Sequence, residues 1–178
     1  MSDLFRDLPL SGRVPRDESQ VTGDWRGQLA DVVHSAAGIL GSLPGGDRDR
    51  HARSFLVSAG LARESAADSL TGLSEAVGDG RRRRVRDLSR AVGALLALAR
   101  DTGSTVSLAP LTSGAVALYR ATSAPLAIRA VVGGHTLRSL DDGWEFGHGP
   151  VLADTSLRMV AFLCGVSEEP PRRVAPRR

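Results

Sequence analysis

Along the first hundred residues, apolar side chains recur at three- and four-residue steps. Trp25, Leu29, Val32, Ala36, Ile39, Leu40 and Leu43 fall on one face of a helix running from about Asp24 to Leu43. Thr22 or Asp24 supplies an N-cap, and Pro44-Gly45-Gly46-Asp47 ends the helix. A second helix fits Arg50 to Val77, with Phe55, Ala59, Ala62, Ala66, Leu70, Leu73 and Val77 as its stripe. Its face is rich in small residues, which permit close approach of another helix or of a second copy of the chain. Gly78-Asp79-Gly80 is the turn. A third helix buries Val85, Leu88, Val92, Leu95, Leu96 and Ala99, and stops at Asp101-Thr102-Gly103.

Beyond Gly103 the period changes. "STVSLAPL" and "GAVALYR" are short, β-prone and bounded by proline, threonine and glycine. In "PLAIRAVVGGHTLRSLDDGWEF" the residues Leu126, Ile128, Ala130 and Val132 alternate with Ala127, Arg129 and Val131. Gly133-Gly134 reads as a two-residue turn and Asp141-Asp142-Gly143 as a second, which predicts an antiparallel meander with one covered face. A last helix runs from about Thr155 to Cys164, capped by Asp154 or Thr155, with Met159, Val160, Phe162 and Leu163 covering the sheet.

The expected fold is therefore α+β: an N-terminal three-helix lobe, a small antiparallel β-meander and a C-terminal helix. Residues 1–21 read as a flexible arm whose Leu4, Phe5, Leu8 and Leu10 suit a groove. Residues 22–103 form the helical lobe, 104–166 the small α/β lobe, and 167–178 a basic, proline-rich tail. No repeat of fixed period stands out.

Composition changes this picture in two ways. All 23 basic residues of the 178 are arginine, and the chain has neither lysine nor asparagine, which is the mark of high-GC coding. Arginine number alone is then a weak pointer to nucleic acid, and the net charge is only +3. The single cysteine excludes an internal disulfide. The N-terminus lacks a signal-peptide core, and "AVGALLALA" is about half a membrane span, so a cytoplasmic protein without membrane association is expected.

The run Arg81-Arg82-Arg83-Arg84 sweeps around a helix axis, so its members do not share one side. Arg83 and Arg84 are spaced to pair with Asp87, while Arg81, Arg84 and Arg82 are candidates for an anionic partner. Cations at a helix N-terminus oppose the macrodipole, a hint of a partner anion. Arg172 and Arg173, with Arg177 and Arg178, make a second basic group. Neither group has interleaved aromatics for base stacking.

No two of His34, His51, His135 and His148 stand at the i, i+4 spacing of helical metal ligands. His34 lies off the apolar face, three residues from Asp31; His51 meets it only through tertiary folding. His135 and His148, with Asp141 or Asp142, are a possible ligand set, although a glycine-aspartate turn accounts for the same residues. Cys164 reads as a buried, inert thiol. "GWEFGHGP" fits no phosphate loop; Trp144 and Phe146 face the core, or with His148 and Phe162 they rim an apolar pocket. No catalytic residue and no cofactor are called for.

The segment from about Pro125 to Gly165, "PLAIRAVVGGHTLRSLDDGWEFGHGPVLADTSLRMVAFLCG", resembles the sterol-carrier-like tail of actinobacterial mycothiol-dependent maleylpyruvate isomerase-like proteins. The resemblance implies a small α/β module of a hairpin, a tryptophan-glycine strand and a helix. That family carries a DinB-type helical bundle with a histidine metal triad. "DWRGQLADVVHSAAGIL" is similar to the segment bearing the first ligand, which would give His34 that role. No further histidine falls between His51 and His135, so the rest of the triad is unmatched, and the resemblance implies a member without the catalytic centre. The expected function is a non-enzymatic module that binds a partner protein, a second copy or a small apolar ligand. The alternatives are a divergent metal- and thiol-dependent transferase using His34, His51 and a carboxylate, and an arginine-mediated nucleic-acid binder.

Overall fold

The computed structural model describes residues 23–64 and 69–174. The arm, Thr22, Ala66, Arg177 and Arg178 lie outside the described residues. Helix α1 (Arg26–Gly41) buries Leu29, Val32, Val33, Ala36, Ile39 and Leu40, the face that its periodicity predicts. The Asp24 carboxylate accepts the Arg26 N–H at 3.2 Å and so serves the helix start.

The helix expected over residues 50–77 is two helices, α2 (Gly45–Ala59) and α3 (Leu70–Asp79). Gly45 and Gly46, expected to end the first helix, instead open α2 behind Pro44. Gly60 breaks the run. Its φ of 76° is left-handed, the Gly60 N–H donates to Val57 O and the Leu61 N–H to Leu56 O. This is a Schellman closure, and it turns Leu61 into the core. A Cβ at Gly60 would stand 2.9 Å from the Arg90 guanidinium carbon, so a larger residue would push that side chain aside and hold a left-handed φ. Ser69 Oγ then accepts the Gly72 N–H and caps α3. Part of the stripe expected for this region packs inside the chain: Phe55 and Ala59 are buried with α2 against α4 (Val85–Thr102), and Leu73 and Val77 with α3 against α1, while Ala62 is exposed. Helix α4 is the central element, packed on α1 and α2, and Gly103 closes it.

Of the segments expected as strands, "GAVALYR" and "PLAIRAVV" are helical, and "STVSLAPL" is irregular up to Ala109 and opens a helix at Pro110. "PLTSGAVALYRATS" is α5 (Pro110–Ser123) and "LAIRAVV" is α6 (Leu126–Val132). Both start at proline, with Pro110 inside the first turn and Pro125 at the N-cap. In α5 the buried residues are Thr112, Ser113, Val116 and Ala117, a helical spacing. Gly133-Gly134 accordingly ends a helix rather than turning a hairpin.

The sheet contains β1 (Thr136–Ser139), β2 (Glu145–Gly147), β3 (Val151–Asp154) and β4 (Arg172–Arg173), in the order β2-β1-β3-β4. It is mixed, not an antiparallel meander. β1 pairs antiparallel with β2, Leu137 opposite Phe146, but parallel with β3, Leu137 opposite Leu152. To reach the far side of β1 the chain crosses its N-terminal end through Gly147-His148-Gly149-Pro150. A Cβ at Gly149, whose φ is 100°, would stand 2.2 Å from Gly134 O. Thr136 fastens this crossing, its N–H donating to Pro150 O and its hydroxyl to Gly149 O. β4 adds antiparallel to β3, so the start of the expected tail is an edge strand. Helix α7 (Ser156–Leu163) buries Met159, Val160, Phe162 and Leu163 and packs on α5. The result is an α+β fold in which one apolar core runs continuously from Leu29 to Leu163.

Candidate functional site

The arginine run is not the first turn of a helix. It forms the connection from α3 into α4, and Arg83 is buried there, its side chain 7% exposed. Arg83 Nη1 donates to Glu64 Oε1 at 3.0 Å and Nη2 makes a short bond to Oε2. Arg81, 77% exposed, adds a third contact to Glu64. The Arg83 backbone is equally engaged: its N–H donates to Asp24 Oδ1 and its carbonyl accepts the Trp25 N–H. The Asp87 partner of Arg83 expected from spacing is therefore displaced by Glu64, and Asp87 instead accepts the Arg84 backbone N–H at 3.3 Å. Hydrogen bonds from Arg83 pull the Glu64 carboxyl below its ordinary range against the opposing effect of burial. At Asp24 desolvation pushes upward, but the N–H groups of Arg83 and Arg26 and the guanidiniums of Arg26 and Arg82 together bring it low. Arg82 and Arg84 are exposed. Arg172 and Arg173 are exposed on the edge strand β4, a separate element.

The Asp141-Asp142-Gly143 turn is a structural joint. Asp141 Oδ1 accepts the Ser139 hydroxyl and the Ser156 N–H, and the latter bond chiefly holds the Asp141 carboxyl below its ordinary range. Asp142 bonds to the hydroxyl of fully buried Ser113 on α5, which also accepts Trp144 Nε1–H at 3.1 Å. Trp144 stacks on Phe146 with ring centroids 5.5 Å apart, and both pack on the core. Phe162 is buried on α7, and His148 is exposed in the Gly147–Pro150 crossing.

His34 is exposed on α1. His51 borders a cavity of about 30 Å³ between α2 and α4, which has room for about one or two waters. Among the described residues no group of three or more His, Cys, Asp and Glu is placed to hold a metal ion. Cys164, half-buried behind Gly93, has its thiol pushed up by burial, an effect the Arg120 guanidinium only partly offsets. Such a thiol is a poor nucleophile.

A cavity of ligand size lies elsewhere among the described residues. A cleft of about 460 Å³ opens between the C-terminal half of α4, the segment after Gly103, α7 and the turn after it. Leu96, Ala99, Val106, Leu157, Ala161 and Val166 make its apolar lining. Arg100, Arg158, Ser104, Thr105 and Ser167 bring its polar atoms. Arg100 braces one wall, its Nη1 donating to Val166 O at 3.0 Å while Nε and Nη2 hold Asp101. The volume falls in the range of small-molecule sites, roughly 300–1,000 Å³. None of Trp144, Phe146, His148 and Phe162 lines it. The helical period places Leu96 and Ala99 on a core face; nothing local marks the cleft, because its walls come from four separated segments.

Among the described residues no single helix is long and apolar enough to cross a membrane; α5 and α6 are so only jointly, and they meet at 110°. No protein-family model, curated protein or solved structure matches the chain.

Proposed function

We propose that this chain is a non-enzymatic binding module whose ligand is a small apolar molecule held in the cleft between α4 and α7. The observation that carries this reading is the cleft itself, about 460 Å³ with a continuous aliphatic lining. Its walls are rigid elements, two helices of one core and a segment braced by Arg100, so an occupant meets a preformed surface. Four carboxylates are already used in the fold: Glu64, after α2, and Asp24, before α1, fasten their segments to the connection into α4, and Asp141 and Asp142 fasten the turn after β1 to α7 and α5.

Titration with the uncharged naphthalene dye prodan tests the reading. Its emission should shift to the blue and saturate at one dye per chain. Ala161→Trp, which fills the cleft from α7, should abolish that signal while the unfolding midpoint stays near wild type. Absence of saturable binding, or binding untouched by Ala161→Trp, would overturn it.

A second reading, self-association, is favoured by α6. Leu126 is 74% and Val131 41% exposed on a helix whose one charged residue is Arg129, and Leu118 of α5 is 55% exposed. Light scattering on wild type and Leu126→Asp tests it: a dimer that the aspartate converts to monomer supports a second copy on this face, and a monomeric wild type rejects it.

A further inference from the structure

The polar residues that line the cleft share one character. Two are arginines, three carry hydroxyls, and neither aspartate nor glutamate lines it. The Thr102 hydroxyl gives its one proton to Leu98 O at 2.8 Å, so Ser104 Oγ is the donor in its 2.9 Å bond to Thr102, whereas Ser167 Oγ accepts the Glu169 N–H at 3.1 Å. The Ser167 hydroxyl therefore remains a donor. A ligand head that suits this mouth is rich in acceptors and poor in donors.

The two arginines differ in how firmly they are held. Arg100 has three of its nitrogens bonded, to Asp101 and to Val166 O. Arg158 donates through Nη2 to Glu169 Oε2 at 2.6 Å, and its Nε lies 3.7 Å from Asp154 Oδ1. Among the described residues its Nη1 has no partner. The Arg158 and Glu169 side chains are 52% and 75% exposed, so water competes for both and the pair holds weakly. Arg158 lines the cleft beside Leu157 and Ala161, and its side chain is half exposed.

We infer that the ligand is an amphipathic monoanion, a carboxylate on an apolar chain or ring, whose tail fills the aliphatic lining and whose head takes the place of Glu169 on Arg158. This rests on the reading of the cleft as a ligand site. The exchange substitutes one carboxylate for another on the same guanidinium and frees Glu169 to water, so no buried charge is left unpaired. Glu169 is then an internal competitor, and its removal favours the ligand.

The test compares octanoate, 1-octanol and octylammonium by calorimetric titration of the full chain. Octanoate should bind about fivefold to tenfold more tightly than octanol, a charge-assisted bond being the difference, and octylammonium should bind least. Arg158→Gln should remove the preference by weakening octanoate alone. Glu169→Gln should tighten octanoate about threefold and leave octanol unchanged, the size expected for loss of an exposed pair. Ala161→Trp should abolish binding of all three. If octanol binds as tightly as octanoate, or if neither charge substitution moves the octanoate-to-octanol ratio, the anionic head is wrong and the apolar cleft stands. If none of the three binds, or Ala161→Trp changes nothing, both fall. Thermal unfolding of each variant shows whether it folds, and Glu169→Gln, altering an exposed side chain, keeps the test open if Arg158→Gln does not.

Discussion

At the scale of single residues, Arg83 decides what the arginine run does. A guanidinium 7% exposed stays charged, so it must be paired, and Glu64 answers with both oxygens. Glu64→Gln leaves that charge without its counter-ion and should cost about 2–3 kcal/mol in urea unfolding, whereas Arg82→Gln, at an exposed position, should stay within about 0.5 kcal/mol. The pair also sets a pH dependence. Glu64 and Asp24 are held below their ordinary values of 4.5 and 3.8, so their contribution is complete above those values. It is lost as pH falls further, through the lowered folded values. The unfolding midpoint of wild type should therefore drop more steeply between pH 5 and pH 3 than that of Glu64→Gln, by roughly the contribution of the one carboxylate removed. Equal slopes would assign the acid loss to other groups. Gly149 makes the second residue-scale case. Gly149→Ala puts a methyl group against Gly134 O at a φ of 100°, and should destabilise by at least about 3 kcal/mol because two backbone strands meet there.

At the scale of elements, periodicity reads well where a face is strongly one-sided and poorly where alanine dominates. Helices α1 and α4 follow from Leu29, Val32, Ile39 and from Leu88, Val92, Leu95, whose neighbours on the other face are polar, charged or glycine. β1, the aspartate turn and α7 follow equally. In "GAVALYR" and "LAIRAVV" small and large apolar residues alternate, a pattern that satisfies both the strand and the helix period. Pro110 and Pro125, each opening a helix, were the discriminating signal. The split at Gly60 was hidden for the opposite reason: alanines and serines on both sides carry the stripe across the break. The parallel β1–β3 pair had no local mark at all, since register between strands on either side of a crossing is a tertiary property. The arginine clasp was half legible, as a charged connection, but its partner Glu64 lies 19 positions away. The joint between α5 and the sheet turns on Ser113. Ser113→Ala strips Trp144 Nε1 of its acceptor and Asp142 of a hydroxyl, and should cost about 1–3 kcal/mol. In a Trp25→Phe background, which leaves Trp144 as the sole indole, its emission should shift to the red. Unchanged emission and stability would mean that Trp144 is held by its stacking on Phe146 alone.

At the scale of the molecule, one apolar cluster spans the boundary expected near Gly103, where α4 gives way to a further helix, α5. Leu95, Leu96 and Ala99 of α4 belong to the same apolar cluster as Val116, Leu137, Met159 and Leu163. The cleft straddles that boundary, with α4 on one wall and α7 on the other, so its shape depends on both parts folding together. A continuous core of this size should unfold as one unit. The two tryptophans report on opposite sides of it: Trp25 at the start of α1, bonded to Arg83 O, and Trp144 beside the sheet, bonded to Ser113. Urea unfolding followed in Trp144→Phe and in Trp25→Phe should give transitions whose free energies agree once each substitution's own cost is measured by circular dichroism. Leu95→Ala, fully buried in the shared helix, should lower both by the same amount, about 3 kcal/mol. A Trp144 transition that Leu95→Ala does not move would mean that the sheet and α7 form a separate unit. The cleft would then be an interface between two units rather than a preformed pocket, and a ligand in it would stabilise their docking instead of the fold.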